Sequence, residues 1–163
     1  MNSRVTQVRL SDRCLEGPVV LSFYRGTWCP FCTLEMQALS ESVESLEDLG
    51  ASLLAISPQS HEASSKTAED HGLTLDLLSD PGNRVARTFG IVFYLQDEIQ
   101  SIYKALGLDL SLLNGDSNFD LPVPATFVID EKRIIRHAFV DPDYTRRRDP
   151  SEIVNILRTL PAS

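Results

Sequence analysis

The chain alternates between continuous apolar runs and stretches in which apolar residues recur every three or four positions. The runs at 19–24 and 51–57 are typical of strands that are covered on both faces of a sheet. Between them lies an apolar stripe with acidic residues, Glu35 among them, at the intervening positions. This spacing predicts one long amphipathic helix that ends at Gly50. The members of the stripe are Met36, Leu39, Val43, Leu46 and Leu49.

Caps, turns and shorter patterns predict the other elements. Residues 1–17 predict a short edge strand or arm built on Val5, Val8 and Leu10. Ser60 is placed to cap a polar helix that reaches about His71 and is closed by Gly72. The later predictions are a strand at 75–78, a turn at 79–83, helices at 84–89 and 94–106, an irregular segment at 107–121, a β-hairpin over 124–139, and a last helix starting at 149 or 151 and ending at 160.

The order of these elements indicates the fold class. Strands alternate with helices until the closing hairpin and the final helix. This order predicts an α/β fold with a mixed central β-sheet and helices on both faces. At 163 residues, with no repeat or linker pattern, the chain is expected to be a single domain over 1–163.

A Cys-x-x-Cys pair lies where the first apolar strand gives way to a helical pattern. Pro30 suits the first helical position, which places Cys29 at the N-cap and Cys32 one turn into the helix, close enough to form a disulfide. Unpaired N–H groups at a helix N-terminus stabilise a thiolate, the reactive form of cysteine. The pair could alternatively be half of a zinc site or two small core residues.

The remaining cysteine and the histidines bear on these alternatives. Zinc would need two further ligands, but Cys14 stands alone and the histidines (His61, His71 and His137) show no paired ligand spacing. We therefore favour a redox pair, and predict that Cys29 and Cys32 form a reversible disulfide while Cys14 is a small, half-buried residue outside it.

The composition excludes several function classes. The formal net charge is −8, which argues against nucleic acid or an anionic membrane as a partner. No apolar run approaches the roughly 18 residues that a membrane helix needs, and no secretory signal follows Met1. A reducing compartment, the cytoplasm, is the expected location, where Cys-x-x-Cys pairs are typically catalytic. No metal, flavin or nucleotide cofactor is implied.

Four separated motifs occur along the chain: Val-Val-Leu-Ser-Phe-Tyr-Arg-Gly-Thr-Trp-Cys-Pro-Phe-Cys, Leu-Leu-Ala-Ile-Ser-Pro-Gln, Leu-Ser-Asp-Pro-Gly-Asn and Pro-Ala-Thr-Phe-Val-Ile-Asp. Together they resemble the thioredoxin-fold superfamily, and more closely the peroxiredoxin-like branch of the alkyl hydroperoxide reductase and thiol-specific antioxidant (AhpC/TSA) family. The resemblance implies a thioredoxin-like fold and a thiol-dependent oxidoreductase that reduces peroxides through Cys29 and Cys32. The alternatives are a thioredoxin-like disulfide reductase with little peroxidase activity, and a non-catalytic redox-sensing module.

The resemblance also implies partners. Electrons would come from an external thiol donor of the thioredoxin, glutaredoxin or glutathione type, and the substrate would be a peroxide or a disulfide. A homodimer is one assembly that it allows.

The similarity to peroxiredoxins and the similarity to thioredoxins imply opposite roles for the two cysteines. The peroxiredoxin loop Pro-x-x-x-Thr-x-x-Cys places its peroxide-reacting thiol at Cys32, with Arg25 at its proline position and Cys29 at its threonine position. The Trp-Cys-x-x-Cys of thioredoxins instead makes Cys29 the attacking thiol. Pro124 stands where peroxiredoxins carry an arginine, and thioredoxins have a cis proline there, so a cis Val123–Pro124 bond facing the pair is predicted.

We expect Cys29 to attack, because an N-cap side chain should point outward while Cys32 is more enclosed. Arg25 is expected either to hold the thiolate or a peroxide oxygen, or to be a solvated loop cation. Thr27 has a hydroxyl near the pair, and Trp28 should form an apolar wall beside the sulfurs. The basic cluster 146–148 is expected to be a solvated loop.

Overall fold

The computed structural model describes residues 7–161. Its main feature is a five-stranded sheet with the order β3-β2-β1-β6-β7. The strands are β1 (Val19–Phe23), β2 (Ser52–Ser57), β3 (Asp76–Ser79), β6 (Ala125–Ile129) and β7 (Ile135–Val140). β1, β2 and β3 pair in parallel, whereas β6 runs antiparallel to both β1 and β7. The predicted mixed sheet and its closing hairpin are therefore confirmed.

Eight α-helices and one short 3-10 helix (Pro81–Asn83) connect and flank these strands within residues 7–161. The α-helices are named in chain order. They are α1 (Leu10–Glu16), α2 (Pro30–Glu41), α3 (Val43–Glu47), α4 (His61–His71), α5 (Arg84–Thr88), α6 (Asp97–Ala105), α7 (Leu110–Asn114) and α8 (Pro150–Arg158). A second, two-stranded antiparallel sheet pairs β4 (Val92–Tyr94) with β5 (Asp120–Pro122). None of these helices is long and apolar enough to cross a membrane.

The central strand β1 is buried along its whole length and separates two hydrophobic cores. Alternate residues of a strand point to opposite faces of the sheet, so Val20 enters one core while Leu21 enters the other. The first core is closed by α2, α3 and α8, and the second by α1 and α5. Helices on both faces confirm the predicted layer arrangement.

The N-terminal segment corrects one prediction. Leu10, expected in an edge strand or arm, begins α1 instead, whereas Val5 lies outside the described residues. Leu10 and Cys14 are four positions apart, so they lie on one side of this helix and both pack into the second core. The helical spacing outweighs the weak alternation seen in the sequence. Cys14 is fully buried, not half-buried.

The long helix predicted up to Gly50 is divided into α2 and α3 at Ser42. The hydroxyl of Ser42 donates to the carbonyl oxygen of Ala38 at 3.0 Å. A serine hydroxyl competes in this way with the backbone bonds of a helix and often bends it. The segment expected to be irregular after Gly107 contains α7 and β5, and the helix predicted at 94–106 is α6, which begins at Asp97.

Candidate active site

A tight loop carries the chain from β1 to α2 and so presents the Cys-x-x-Cys pair at the carboxyl end of the central strand. Gly26 makes this loop feasible, since its φ of +147° is rarely adopted by other residues. A Cβ atom there would lie 2.3 Å from Nε1 of Trp28, so a side chain at this position would have to displace the indole. The predicted sequence of strand, short loop and helix start is confirmed.

Cys29 is the N-cap of α2 and Pro30 is its first residue, as predicted. The sulfurs of Cys29 and Cys32 are free thiols, and both residues are buried, with 2% and 0% exposure. The prediction that Cys29 points outward is therefore wrong. Arg25 of the same loop lies against the sulfur of Cys29, and Tyr144 from a distant segment packs on Arg25, contacts that sequence spacing within one helix does not reveal.

Arg25 meets Cys29 directly and is not a solvated cation. Its Nη2 donates a hydrogen bond to Sγ of Cys29 at 3.1 Å, and the residue is only 5% exposed. A guanidinium in a water-poor environment stabilises a thiolate strongly, because no solvent competes for the charge. Of the two expectations for Arg25, the structure supports the one in which it holds the thiolate.

The pKa values of the two cysteines are shifted in opposite directions. A hydrogen bond from the thiol of Cys32, together with the hydrogen bond from Arg25, lowers the pKa of Cys29 to about 5, although burial opposes this shift. The hydrogen bond to Cys29, burial and the negative charge of Cys29 all raise the pKa of Cys32. At neutral pH the pair therefore holds one thiolate, on Cys29, and one thiol, on Cys32.

Thr27 supports the loop, and its hydrogen bonds run to polar residues and not to the two sulfurs. Its N–H and its hydroxyl both donate to Oε1 of Gln59, at 2.9 and 3.2 Å, and the hydroxyl lies 2.9 Å from that of Thr67. The hydroxyl of Thr33 donates back to the carbonyl oxygen of Thr27 at 3.0 Å. Gln59 is 1% exposed, so these hydrogen bonds hold the loop in place within a buried environment.

Trp28 forms part of an aromatic wall, as expected. Its ring packs edge-on against Tyr103, with centroids 5.5 Å apart, and it also contacts the core that contains the two cysteines. The guanidinium of Arg25 lies 5.2 Å from the Trp28 ring and 4.0 Å from the ring of Tyr144. Arg25 is thus held between two aromatic rings, which restricts its motion and shields it from water.

Pro124 is buried just before β6, and extending the pairing of Phe23 with Ala125 places it opposite Tyr24. None of the described peptide bonds is cis, so the predicted cis Val123–Pro124 bond is wrong. The N–H of Val123 donates to the carbonyl oxygen of Ile91 at 2.7 Å, and Ala125 begins the pairing of β6 with β1. The trans bond therefore lies between two backbone positions that are held by hydrogen bonds.

Two residues that the sequence analysis did not assign to the site contact it closely. Nη2 of Arg147 lies 3.4 Å from Sγ of Cys32, and Nε of Arg147 donates to Oε2 of Glu35 at 2.7 Å. Glu35, expected on a polar helix face, is 8% exposed. Its spacing of three residues from Cys32 could have indicated that both lie on one side of α2. No sequence signal distinguishes Arg147 from the adjacent arginines.

Cys14 lies in the second core, on the opposite face of the sheet from Cys29 and Cys32. Burial raises the pKa of its thiol, so Cys14 is a poor nucleophile as well as a distant one. Within residues 7–161, no cluster of three or more histidine, cysteine or acidic side chains is arranged to hold a metal ion.

Comparison with known proteins places this geometry in context. The model of the AhpC/TSA family matches residues 1–138. Curated relatives include the chloroplastic peroxiredoxin Q of Sedum lineare, 36% identical over 74 residues (45% of this chain and 40% of that protein). Peroxiredoxin Bcp of Bacillus subtilis is 36% identical over 85 residues (52% of this chain and 53% of that protein). The chain thus spans about half the length of these curated relatives.

A solved structure extends the similarity over the whole fold. Peroxidoxin BcpB from Mycobacterium tuberculosis superimposes with a TM-score of 0.72 and 25% sequence identity, covering 96% of this chain and 88% of that one. The thioredoxin-like fold that the motifs implied is therefore confirmed.

Proposed function

The chain belongs to the AhpC/TSA family, and we propose that it is a thiol-dependent peroxidase whose redox pair is Cys29 and Cys32. The single observation that carries this proposal is the 3.1 Å hydrogen bond from the buried guanidinium of Arg25 to Sγ of Cys29. Together with the thiol of Cys32, it produces a thiolate at neutral pH. A low-pKa thiolate next to a second thiol is the arrangement that two-step peroxide reduction requires.

Cys29 is the attacking residue in this proposal. Its thiolate attacks one peroxide oxygen, the O–O bond breaks, and the leaving alkoxide or hydroxide takes a proton while Cys29 becomes a sulfenic acid. The sulfur of Cys32 then attacks the sulfur of Cys29, and the hydroxyl leaves with the thiol proton as water. Two external thiols reduce the resulting disulfide and become a disulfide themselves, which restores the resting enzyme.

Supporting residues have distinct roles in this scheme. Arg25 stabilises the thiolate and is placed to polarise the peroxide oxygen that Cys29 attacks. Trp28 limits water at the sulfurs, and Thr27 keeps the loop in place through Gln59. Pro124 lies opposite Tyr24 at the carboxyl end of β1, and its proposed role is to pack beside the pair.

The electron donor is proposed to be a small or protein thiol of the thioredoxin, glutaredoxin or glutathione type, and the peroxide to be hydrogen peroxide or an organic hydroperoxide. A reducing compartment such as the cytoplasm is the proposed location, since Cys-x-x-Cys pairs there are typically catalytic.

Steady-state consumption of hydrogen peroxide and cumene hydroperoxide with dithiothreitol tests this function. We expect Cys29→Ser to abolish turnover and Cys32→Ser to block recycling, whereas the control Cys14→Ala retains the wild-type rate. Insulin reduction by the same preparations measures the disulfide reductase activity. Insulin reduction without peroxide turnover would contradict the proposal. So would a fast-reacting thiol that survives in Cys29→Ser but is lost in Cys32→Ser, which would make Cys32 the attacking residue.

A further inference from the structure

Each sulfur of the pair has a guanidinium of its own. Arg25 binds Cys29 from the loop after β1, whereas Arg147 reaches Cys32 from the segment between β7 and α8. This segment lies beyond residue 138, where the match to the family model ends. The side chain of Arg147 is 13% exposed, so it is inserted into the protein and does not lie on the surface.

The position of Arg147 is fixed by several acceptors. Its Nε donates to Oε2 of Glu35 at 2.7 Å, and its Nη1 donates to the carbonyl oxygens of Tyr144 and Arg146. Only Nη2 remains for Cys32, at 3.4 Å. Because the guanidinium is a rigid planar fork, the other contacts aim Nη2 at the sulfur.

Glu35 is buried, and the guanidinium of Arg147 is its ion-pair partner. Its side chain is 5% exposed, and burial raises its pKa to about 7 even though Arg147 opposes the shift. A buried carboxylate is costly unless it is paired, so the ion pair with Arg147 favours the inward position of Glu35 on α2.

The segment that carries Arg147 is anchored on both sides of it. Arg146 pairs with Asp141 at 3.1 Å, and Arg148 pairs with Glu152 of α8 at 2.8 Å. Three consecutive arginines therefore have three different environments, and only the middle one reaches the redox pair.

We propose that Arg147, oriented by Glu35, stabilises the Cys32 thiolate as the leaving group when the disulfide is reduced. This inference rests on the proposed function of the pair. An external thiolate attacks the sulfur of Cys29, a new S–S bond forms, and the Cys29–Cys32 bond breaks with its electron pair on Cys32. Cys32 later takes up a proton, and a second external thiol releases Cys29. In the dithiol state the pKa of Cys32 is raised largely by its hydrogen bond to the Cys29 thiolate and by the charge of that thiolate, and both are absent once Cys29 is in a mixed disulfide. The guanidinium lies 3.4 Å from the sulfur on which the negative charge develops, which makes Cys32 a better leaving group.

The test compares Arg147→Gln with Arg146→Gln, which removes the same charge from a neighbouring, more exposed residue. The disulfide is formed with diamide, checked by mass mapping, and reduced by dithiothreitol while the fluorescence of the single tryptophan, Trp28, is followed. We expect Arg147→Gln to slow reduction about tenfold or more, as loss of a hydrogen bond to a charged group predicts. Arg146→Gln should reduce at the wild-type rate.

A second measurement separates this role from a structural one. In the Cys29→Ser background, adding Arg147→Gln should raise the pKa of Cys32 by about one unit, whereas adding Arg147→Lys should raise it by less, since the charge is retained. Should Arg147→Gln fail to fold, the test compares Arg147→Lys with Arg146→Lys. We expect the rate of disulfide reduction to fall about threefold in Arg147→Lys and to stay unchanged in Arg146→Lys.

Equal reduction rates in the Arg147 and Arg146 variants would overturn the inference. Because diamide replaces peroxide, absence of peroxide turnover with an Arg147-dependent reduction rate would refute the peroxidase function and leave the inference standing. Normal peroxide turnover, with an unchanged rate of disulfide reduction in Arg147→Gln, would refute the inference and leave the peroxidase function standing. Failure of diamide to join Cys29 and Cys32 would overturn both.

Discussion

Removal of the Arg25 guanidinium should raise the pKa of Cys29, and the structure gives the size of the change. The hydrogen bond from Nη2 to Sγ is 3.1 Å long and Arg25 is 5% exposed, so solvent screens it little. Hydrogen bonds to charged groups contribute about 1.5–3 kcal/mol, which corresponds to about one to two pKa units. Arg25→Gln should therefore move the pKa from about 5 to roughly 6–7.

Because the pKa of Cys29 rises in Arg25→Gln, the variant has less thiolate than the wild type at acidic pH. Wild-type Cys29, with a pKa of about 5, is half ionised at that pH. The variant would then be about 1–10% ionised, so its thiolate population falls roughly fivefold to fiftyfold. Near pH 8 both proteins are almost fully ionised, and the difference should nearly vanish.

The ultraviolet absorbance of the thiolate, recorded against pH on the reduced proteins, measures this population directly. Cys29→Ser provides the baseline, and Arg84→Gln, an exposed arginine on α5, is the charge-matched control that should titrate like the wild type. An unshifted titration in Arg25→Gln would refute the assignment of Arg25 to the thiolate. Peroxide turnover that stays low near pH 8 despite full ionisation would show that Arg25 also acts on the peroxide.

Two further predictions follow from the positions of the cysteines and of Gly26. Mild oxidation should join Cys29 to Cys32 and leave Cys14 reduced, because Cys14 lies on the other face of the sheet; a dominant bridge to Cys14 in peptide mass mapping would contradict this. Gly26→Ala should lower the free energy of unfolding in urea by about 1–3 kcal/mol. The reason is that the φ of Gly26 is +147° and the added Cβ would meet Trp28. An unchanged urea midpoint together with unchanged tryptophan fluorescence would contradict this prediction.

Local patterns predicted most of the fold because the deciding interactions are local. α4 runs from His61 to His71, with Ser60 as the cap and Gly72 in the left-handed conformation, as the cap residues indicate. The two apolar runs of β6 and β7 predicted their hairpin in the same way. Prediction failed at Leu10 and Ser42, where a weak strand pattern competed with helical spacing and where a single hydroxyl divides a helix.

The candidate site was predictable only in the part that one short segment supplies. Cys29, Cys32 and Arg25 lie within eight residues of one another, so the loop and helix start bring them together without help from the rest of the fold. Gln59 comes instead from the end of β2, and its contact with Thr27 depends on the parallel pairing of β1 with β2. Spacing along the chain carries no information about such a contact.

The basic cluster illustrates the same limit most sharply. Arg146, Arg147 and Arg148 are chemically identical and adjacent, so composition assigns all three to a solvated loop. Their environments differ because Asp141, Glu35 and Glu152 come from three different elements around the segment. Of these partners, only Glu35 lies beside a reactive sulfur, and it is buried on the cysteine side of α2. An unpaired carboxylate at that position would be costly, so the pairing of Glu35 selects which arginine enters the site. The second guanidinium is therefore oriented by a buried acidic side chain that lies 112 positions away along the chain.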